Sequence, residues 1–492
     1  MGVLIYSALL ISILVYFIGL FPFQVWSPNE AFYADASRRM LETGDYITPY
    51  YNGELRLEKP PLTYWFVVLG YKLFGVNEVG LRFMHTVLGL LLALVVFLLA
   101  RLTGQSTRAS TLAAIIILLS VPFFVNSHYA SPEVPFSFFI SLSLLLWQAY
   151  YRYKKFVFLL FAFLSSSLAM WVKGPAGFLL PAAVVSLYLL FTDPKELLKA
   201  RYYILTVLSL AVGLWWHVYQ LATHREAFLK VFFEENLKRV YSGGDPWYFY
   251  LVDTLASFLP YSFIFYLSLV WVLLRKRREL YFFFAWSLVI LFIFSLVKQK
   301  IPVYTMPAYP AMAILTASFL DGQEWNRIKV WSSLAISSLL MLVSTFGVFY
   351  LSLPSYLLLF VVSAFLVSLK VPKLAPIYSI LSFYLILLFG VLPWLEAYRP
   401  YKEVGEILKA QRASVYSVGH FLHSLPFYAG KEVNRRESPR PGSLVVFQWG
   451  TFSCKPIYTF RAYTGSESRL LKYILDVKRG KNFSDFGVCV AP

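Results

Sequence analysis

Apolar residues in this chain occur in runs of about twenty, and shorter polar segments separate the runs. Such a run can cross the hydrocarbon core of a bilayer as an α-helix, which rises about 1.5 Å per residue. The pattern predicts thirteen membrane spans. Their approximate ranges are 3–22, 80–100, 110–126, 132–150, 156–172, 175–191, 203–221, 249–273, 280–297, 303–320, 330–351, 354–370 and 375–395.

The composition supports the same class of protein. Of the 492 residues, 59% are hydrophobic and only 14% are charged, and the mean hydropathy is +0.63. A soluble protein of this length needs more charged residues to cover its surface. The sequence therefore predicts a polytopic α-helical membrane protein.

Lysines and arginines in short loops set the orientation, because such loops stay in the cytoplasm. The first run lacks a basic leader and a small-residue cleavage site, so we interpret it as a retained span. A cytoplasmic N-terminus puts the basic short loops on one side of the membrane. The inner loops then hold sixteen cations, which are Arg101, Arg108, Arg152, Lys154, Lys155, Lys195, Lys199, Arg201, Arg275, Lys276, Arg277, Arg278, Arg327, Lys329, Lys370 and Lys373. Segments 23–79, 222–248 and 396–492 lie outside, which for a bacterial inner membrane is the periplasm.

The last of these segments is predicted to be a separate unit. Residues 396–492 alternate amphipathic stretches with the β-rich runs "SVYSVG", "SLVVFQW" and "FGVCV". This pattern is typical of a small α/β domain on a membrane body of residues 1–395. Cys454 and Cys489 are either a disulfide, which an oxidising compartment permits, or two small buried side chains.

The same domain is rich in lysine and arginine. These cations form either an ordinary solvated surface or a surface that attracts anionic lipid headgroups or a phosphorylated acceptor. Nucleic acid is excluded as a partner on that side of the membrane.

The first outer loop begins with a predicted helix. Ser27 can cap it, Pro28 fits its first turn, and Glu30 lies three residues after the cap. Glu30 is thus either a capping carboxylate or a site residue. The apolar stripe through Phe32 and Tyr33 makes the helix amphipathic, as expected at a membrane interface.

The loop continues with "NGELRLEKPP". Asn52-Gly53 is a hairpin-type turn. Pro60-Pro61 restrict the backbone next to Glu58 and Lys59. A pair at the solvent rim needs no such restriction, which favours a functional site over a surface ion pair.

Further polar side chains are predicted at the same membrane face. Glu133 begins one span in "ASPE", and a carboxylate at that depth is unfavourable unless it is paired or hydrated. Arg239 lies in "FFEENLKRV", and Lys298 and Lys300 end another span. The two lysines are either site residues or interface anchors whose ammonium groups reach water.

Four motifs in order now carry a resemblance to a known family. They are "NEAFYADASRRMLETGDY" with the following "EKPP", then "ASPE", "FFEENLKR" with "PWYFY", and "KQKIPVYTMPAYPA". Over residues 1–320 the chain resembles the aminoarabinose transferases of lipid A and the protein mannosyltransferases, which are C-type integral-membrane glycosyltransferases with the GT-C fold. The resemblance implies inverting transfer of a sugar from a polyprenyl-phosphate carrier on the extracytoplasmic side.

The resemblance also implies roles for particular residues. Lys59 and Arg239, with Lys298 or Lys300 and with Tyr304, would bind the carrier phosphate. Tyr304 is alternatively an ordinary interfacial aromatic. The candidate catalytic residues are Asn29, Glu30, Glu58 and Glu133. The candidate ligands of a divalent metal ion, zinc or magnesium or manganese, are Glu58, Glu133 and Asn236.

Three positions depart from the family pattern. Asn29 replaces an aspartate, and Phe32 replaces an arginine. Either Glu30 acts instead of the aspartate, or the acceptor is a phosphate that needs no base, or the donor sugar is acidic and a neutral Asn29 avoids repulsion. Asn236 replaces a histidine, which weakens a zinc site.

The histidines that could substitute at such a site are His128 and His217, although each also fits a structural role. His420 and His423 lie far along the chain.

The sequence therefore predicts a monomeric membrane enzyme that moves a sugar from a polyprenyl-phosphate donor to lipid A or a related anionic glycolipid. One alternative is a protein O-mannosyltransferase that uses the same class of donor. Another is a transporter of lipid-linked sugars, which would need charges at mid-membrane in broken helices. A catalytically inactive binding protein is the fourth.

Overall fold

Helices form almost the whole of the first 396 residues. The structure is a computed structural model that describes residues 2–21, 23–435 and 438–492, without the side chains of residues 236 and 237. The helices up to the middle of the chain are α1 Gly2–Ile18, α2 Asn29–Thr43, α3 Leu62–Phe74, α4 Glu78–Leu102, α5 Thr107–Leu119, α6 Val121–Ser127, α7 Glu133–Tyr153, α8 Phe156–Lys173, α9 Ala176–Thr192, α10 Pro194–Leu197, α11 Ala200–Gly213, α12 Trp215–Thr223, α13 Arg225–Phe232 and α14 Arg239–Tyr241.

The second half of the body continues in the same way. Its helices are α15 Phe249–Ser257, α16 Ser262–Leu274, α17 Tyr281–Leu296, α18 Tyr309–Asp321, α19 Asn326–Tyr350, α20 Leu358–Lys370, α21 Ala375–Ile386 and α22 Leu392–Glu396. Short 3₁₀ turns precede α17, α18, α20 and α21, at Arg278–Leu280, Pro302–Ala308, Ser355–Leu357 and Pro372–Leu374. Two π-helical turns occur, at Phe233–Lys238 and Leu387–Val391.

Every predicted span coincides with one or two of these helices, which confirms the polytopic helical fold. Within the described residues, seven helical segments are long and apolar enough to cross a membrane, or nine if each of two bent pairs is one span. The bends are 63° between α5 and α6 and 42° between α11 and α12. Several other predicted spans are apolar helices of 10–17 residues, so the count of thirteen stays a prediction.

The first loop is held by its own polar side chains. Helix α2 begins at Asn29, and the predicted cap from Ser27 is wrong because no side chain caps this helix. Glu30 instead accepts a hydrogen bond from the backbone N–H of Trp26 at 2.9 Å. The helix ends at Gly44, whose φ of +74° places it in the left-handed region that glycine favours. A two-stranded hairpin, β1 Tyr50–Tyr51 and β2 Glu54–Leu55, then leads to α3.

The C-terminal segment is the small α/β domain that the sequence predicts. Its elements are α23 Tyr401–Ala410, β3 Val415–Val418, α24 Leu425–Ala429, β4 Val433–Asn434, β5 Leu444–Gln448, β6 Tyr458–Tyr463, α25 Leu470–Arg479 and β7 Phe483–Val490. The strand order is β4-β3-β5-β7-β6, with β3 parallel to both of its neighbours and β7 antiparallel to both of its own. A disulfide joins Cys454 to Cys489.

This domain packs against the first loop. The side-chain amide of Asn52 donates to the carbonyl oxygen of Val433 at 2.9 Å and accepts from the backbone N–H of Val433 at 2.8 Å. Arg399 is buried and binds Glu467 as well as the carbonyl oxygens of Gln24 and Val25. The loop is therefore held from both sides, by the membrane helices and by the domain.

Candidate active site

A cavity of about 360 Å³ lies where the first loop meets the ends of α8 and α12. Its apolar wall comes mainly from aromatic and aliphatic side chains of α7, α9, α12, α13 and α17. Its polar lining residues are Glu58, Lys59, Lys173, His217, Glu235, Arg239 and Tyr304. A concave, mostly apolar site with a few convergent polar groups is the usual form of a ligand site.

The local sequence places Glu58 and Lys59 at the wall of this cavity. Leu57 is buried against Trp216 and Phe228. On the other side, the proline pair leads directly into α3, whose first residue follows Pro61. The backbone is anchored on both sides of the pair, as the prolines predict.

Lys59 begins a chain of polar contacts. Its Nζ lies 3.0 Å from the carbonyl oxygen of Glu58 and 3.1 Å from Oε2 of Glu235. The other carboxylate oxygen of Glu235 accepts a bond of 2.6 Å from Arg239 Nη2, and Arg239 Nη1 donates to the Tyr304 hydroxyl. Burial lowers the pKa of Lys59, while the carboxylate of Glu235 opposes that shift. Two cations and a phenol therefore converge on one side of the cavity.

A second ion pair lies beside the first. Glu133, the first residue of α7, is buried, and its Oε1 lies 3.0 Å from Nζ of Lys173 in the last turn of α8. The chain turns sharply after Lys173 because Gly174 has a φ of +76°. The Lys173 ammonium is 4.6 Å from the centre of the Tyr304 ring, a cation–π distance that joins the two ion pairs.

Two buried carboxylate oxygens near these pairs lack a partner among the described residues. They are Oε2 of Glu58 and Oε2 of Glu133. Buried polar atoms in folded proteins are nearly always hydrogen-bonded, so unpaired ones at a cavity indicate groups that a ligand or water satisfies. Glu58 belongs to the cavity lining, so its free oxygen is next to a molecule in the site, whereas Glu133 lies behind Lys173.

Arg56 supplies a cation next to the substituted position 32. Its guanidinium carbon lies 4.1 Å from the centre of the Phe32 ring, and its Nη1 is 3.3 Å from Oε1 of Glu58. The family pattern has an arginine at position 32. In this chain Arg56, the residue after β2, places its guanidinium against the Phe32 ring and also holds one oxygen of Glu58.

The structure brings together four of the predicted site residues in the cavity lining, Glu58, Lys59, Arg239 and Tyr304, and places Glu133 directly behind Lys173. Lys298 and Lys300 are not part of the lining. Lys298 is exposed. Nζ of Lys300 donates to the carbonyl oxygens of Val297 and Asp245. The contacts of Lys300 therefore fit a structural role, and phosphate binding by Lys298 stays a prediction.

Glu30 is committed to a different contact. It is fully buried and pairs with Arg82 at 2.7 and 2.8 Å, and its Oε1 also accepts from the backbone N–H of Ala130 at 3.0 Å. With both oxygens occupied, Glu30 has no acceptor left for a substrate proton. Asn29 is exposed at the start of α2. It lies one turn before Phe32 and therefore on the side of α2 that faces Arg56.

Replacing Glu30 with glutamine should destabilise the protein rather than impair chemistry. The change leaves the buried guanidinium of Arg82 without its counter-charge, which typically costs about 3 kcal/mol of the free energy of unfolding. Thermal unfolding in detergent, with activity expressed per folded molecule, measures both effects. Glu54→Gln, at an exposed position of the hairpin after this helix, is the control. If Glu30→Gln lost activity while its unfolding temperature stayed unchanged, Glu30 would have to be a catalytic residue.

A metal ion at this site stays a prediction. Glu58 and Glu133 each offer one free oxygen, but the side chain of Asn236 lies outside the described residues. Within the part of the chain that the structure describes, no three histidine, cysteine, aspartate or glutamate side chains are placed to hold an ion. Lys173 already supplies positive charge to Glu133. The described residues therefore do not fit a metal centre, and no chemical step is derived through one.

The structure shows the surroundings of the two histidines whose roles the sequence does not decide. Both ring nitrogens of His128 lie within hydrogen-bond distance of backbone carbonyl oxygens, at 2.7 and 2.8 Å, so its role is structural. His217 instead lines the cavity, and its Nδ1 has no hydrogen-bond partner among the described residues.

The histidines of the C-terminal domain lie outside the cavity lining. His423 nevertheless reaches the first loop, where its Nδ1 lies 3.2 Å from the hydroxyl of Tyr51. Burial lowers the pKa of His423 to about 4.

Sequence reasoning missed Lys173, Glu235 and Arg56. Lys173 had a detectable signal, since a lysine before Gly174-Pro175 ends an otherwise apolar run. Glu235 stands inside a motif that was singled out for Arg239 and Asn236. Arg56 lies two residues before Glu58, in the irregular segment after β2, where the pattern does not give the direction of a side chain.

Known proteins resemble this chain in sequence and in fold. The family model described as dolichyl-phosphate-mannose-protein mannosyltransferase matches residues 3–229. An uncharacterized protein of Aquifex aeolicus is 47% identical over 97% of both chains. A Pseudomonas aeruginosa protein described as undecaprenyl phosphate-alpha-4-amino-4-deoxy-L-arabinose arabinosyl transferase is 31% identical over 67% of this chain. That match spans 61% of the transferase, so this chain corresponds to about three fifths of its length.

Solved structures share the fold. ArnT from Cupriavidus metallidurans, bound to undecaprenyl phosphate, superposes with a TM-score of 0.76 over 92% of this chain and 93% of its own, at 21% identity. The archaeal oligosaccharyltransferase AglB from Archaeoglobus fulgidus has a TM-score of 0.56 over 87% of this chain and 64% of its own, at 14% identity. At these identities the likeness establishes the architecture of the membrane body.

Proposed function

The chain belongs to the C-type membrane glycosyltransferases related to aminoarabinose transferases and protein mannosyltransferases, and from this we propose that it transfers a sugar from a polyprenyl-phosphate carrier to an envelope glycolipid. The observation that carries the proposal is the convergence of Lys59, Arg239 and Tyr304 at one end of an apolar cavity. Two cations and a hydroxyl can bind one phosphate group, and we call these three side chains the phosphate seat. The apolar walls suit the lipid to which that phosphate is attached.

The seat also suits the chemistry of transfer. An acceptor oxygen attacks the anomeric carbon, the bond from that carbon to the phosphate oxygen breaks, and the electron pair stays on the phosphate. Negative charge therefore grows on the leaving group in the transition state, where fixed cations stabilise it most. A single displacement of this kind inverts the configuration at the sugar.

Glu58 is our candidate for the general base. Its Oε2 is free among the described residues, whereas Arg56 holds its Oε1. Glu58 immediately precedes Lys59 in the chain, so the base and the phosphate-binding lysine belong to one rigid segment. An acceptor hydroxyl would give its proton to this oxygen as the new bond forms. Glu133 supports the site from behind, because its carboxylate pairs with Lys173, which lines the cavity.

The acceptor is proposed to be lipid A or another anionic glycolipid on the periplasmic side of the inner membrane. The basic C-terminal domain supports an anionic acceptor, and its contacts with the first loop bring it next to the site. Protein O-mannosylation is the second candidate, which the matched family model favours. The charged pairs lie at helix ends, with Glu133 first in α7 and Lys173 last in α8, which favours an enzyme over a transporter.

Mass spectrometry of the cell envelope decides between these acceptors. Lipids and proteins are compared from cells with the gene, without it, and without it but carrying a Lys59→Met copy. We expect one glycolipid to carry an added sugar mass in the first strain only. The same mass on proteins alone would favour the second candidate. Identical lipids and proteins in all three strains would contradict the proposed function.

A further inference from the structure

The proposed phosphate seat already contains a carboxylate. Oε2 of Glu235 is 3.1 Å from Nζ of Lys59, and Oε1 of Glu235 is 2.6 Å from Nη2 of Arg239. One protein anion therefore bridges the two cations that are assigned to the carrier phosphate. A carboxylate and a phosphate cannot both take these positions without close repulsion between like charges.

We propose that Glu235 is an exchangeable counter-anion, which neutralises Lys59 and Arg239 when the seat is empty and competes with the spent carrier for them. This inference rests on the proposed function, because it takes the carrier phosphate as the other occupant. Its consequence is that Glu235 promotes release of the product carrier and so permits the next turnover.

The charges of donor and product give the reason for such a competitor. The donor is a phosphodiester with one negative charge. The spent carrier is a monoester, whose second ionisation near pH 6 brings its charge at neutral pH to about −1.5 to −2. A seat of fixed cations would therefore hold the product more tightly than the substrate. A carboxylate that returns to the same cations offsets this difference.

The burial of the three side chains makes the competition effective. Lys59 is 19% exposed, and Glu235 and Arg239 are 23% and 22% exposed. Partly buried charges interact more strongly than surface pairs because water screens them less. When the seat is empty, two cations at this depth need an anion, and Glu235 provides it.

The backbone around Glu235 has a geometry that can change. Residues Phe233–Lys238 form a π-helical turn between α13 and α14. Turns of this type are rare and occur frequently at functional sites. A shift of one residue towards the α-helical register would rotate the side chain by about 100°. That rotation takes the carboxylate away from the cations.

The competing interpretation is that Glu235 permanently orients Arg239 and Lys59. The two interpretations predict opposite signs for one variant. Glu235→Gln keeps the size of the side chain and removes its charge. A competitor that loses its charge lets the phosphate bind more tightly, whereas an orienting partner that loses its charge lets the phosphate bind more weakly.

The test measures binding of a short-chain polyprenyl monophosphate to the full-length protein in detergent. We expect Glu235→Gln to bind it on the order of tenfold more tightly than the wild type, since like-charge repulsion is removed. Glu234→Gln, at the exposed neighbouring position, is the matched control and should bind like the wild type. In turnover assays we expect kcat and KM to fall together in Glu235→Gln, because product release becomes slow.

Equal or weaker binding by Glu235→Gln, with normal binding by the wild type, would overturn the inference and leave the proposed function intact. Tighter binding by both variants would overturn it as well, since it would reflect the general loss of a negative charge. Failure of the wild type to prefer the monophosphate over the uncharged polyprenol would contradict the proposed function and the inference together.

Discussion

Replacing Lys59 with methionine should lower sugar transfer by about 10²- to 10³-fold, while the protein remains folded. Methionine keeps the apolar stem that packs at the cavity wall and removes the ammonium group. The phosphate leaving group then loses a cation that lies 3.1 Å from Glu235 in the same seat. Mass spectrometry of the modified acceptor in complemented cells measures the loss, and thermal unfolding in detergent measures folding.

Lys230→Met is the matched control for this variant. Lys230 is exposed on α13, one of the helices that line the cavity, but it is not part of the lining. It should transfer sugar at the wild-type rate. Full activity of Lys59→Met would show that Lys59 does not bind the carrier phosphate. Lower activity in both variants would indicate a general effect of charge at the membrane surface.

Glu58→Gln should lower transfer by about 10²- to 10⁴-fold, the usual contribution of a general base. Glutamine keeps the hydrogen-bonding shape but cannot take a proton from an acceptor hydroxyl. Binding of the carrier phosphate should be retained, because Lys59 and Arg239 are unchanged. The loss should thus appear in kcat, and a polyprenyl monophosphate should bind as it does to the wild type.

Glu54→Gln serves as the control for this experiment. Glu54 is exposed on the hairpin that precedes Glu58, so its removal should change neither kcat nor binding. If Glu58→Gln transferred sugar at the wild-type rate, the acceptor would need no base at this position. A phosphate acceptor, which is already an anion, would then be favoured.

The helical body could be predicted because it depends on apolarity alone. Runs of apolar residues identify helices wherever lipid or other helices surround them, and each predicted span coincides with helix. Hydropathy alone does not predict the bends, since a break at Ser120 or Leu214 leaves the run apolar. Span counts based on hydropathy are insensitive to such breaks.

Site residues could be predicted only where the adjacent residues in the sequence restrict the backbone. The proline pair marks Glu58 and Lys59 within the sequence itself. In contrast, Glu30 has the sequence environment of a site residue, but its partner Arg82 lies 52 residues away, in α4. Contacts at that separation are set by packing of helices, and no local pattern reports them.

The contact between the first loop and the C-terminal domain has the same origin. Tyr51 and His423 meet across 372 residues of sequence, so a histidine that looks remote in the chain lies beside the loop that carries Glu58. The domain was identified from its strand pattern. Its position over the first loop follows from hydrogen bonds such as those between Asn52 and Val433, which only the folded chain reveals.

The central claim is that this protein consumes a sugar-loaded polyprenyl phosphate. The most direct test is mass spectrometry of polyprenyl-phosphate-linked sugars in cells with and without the gene. We predict that the loaded carrier accumulates when the gene is absent and that its mass identifies the sugar. An unchanged pool of loaded carriers, in cells whose glycolipids and glycoproteins are also unchanged, would contradict the account.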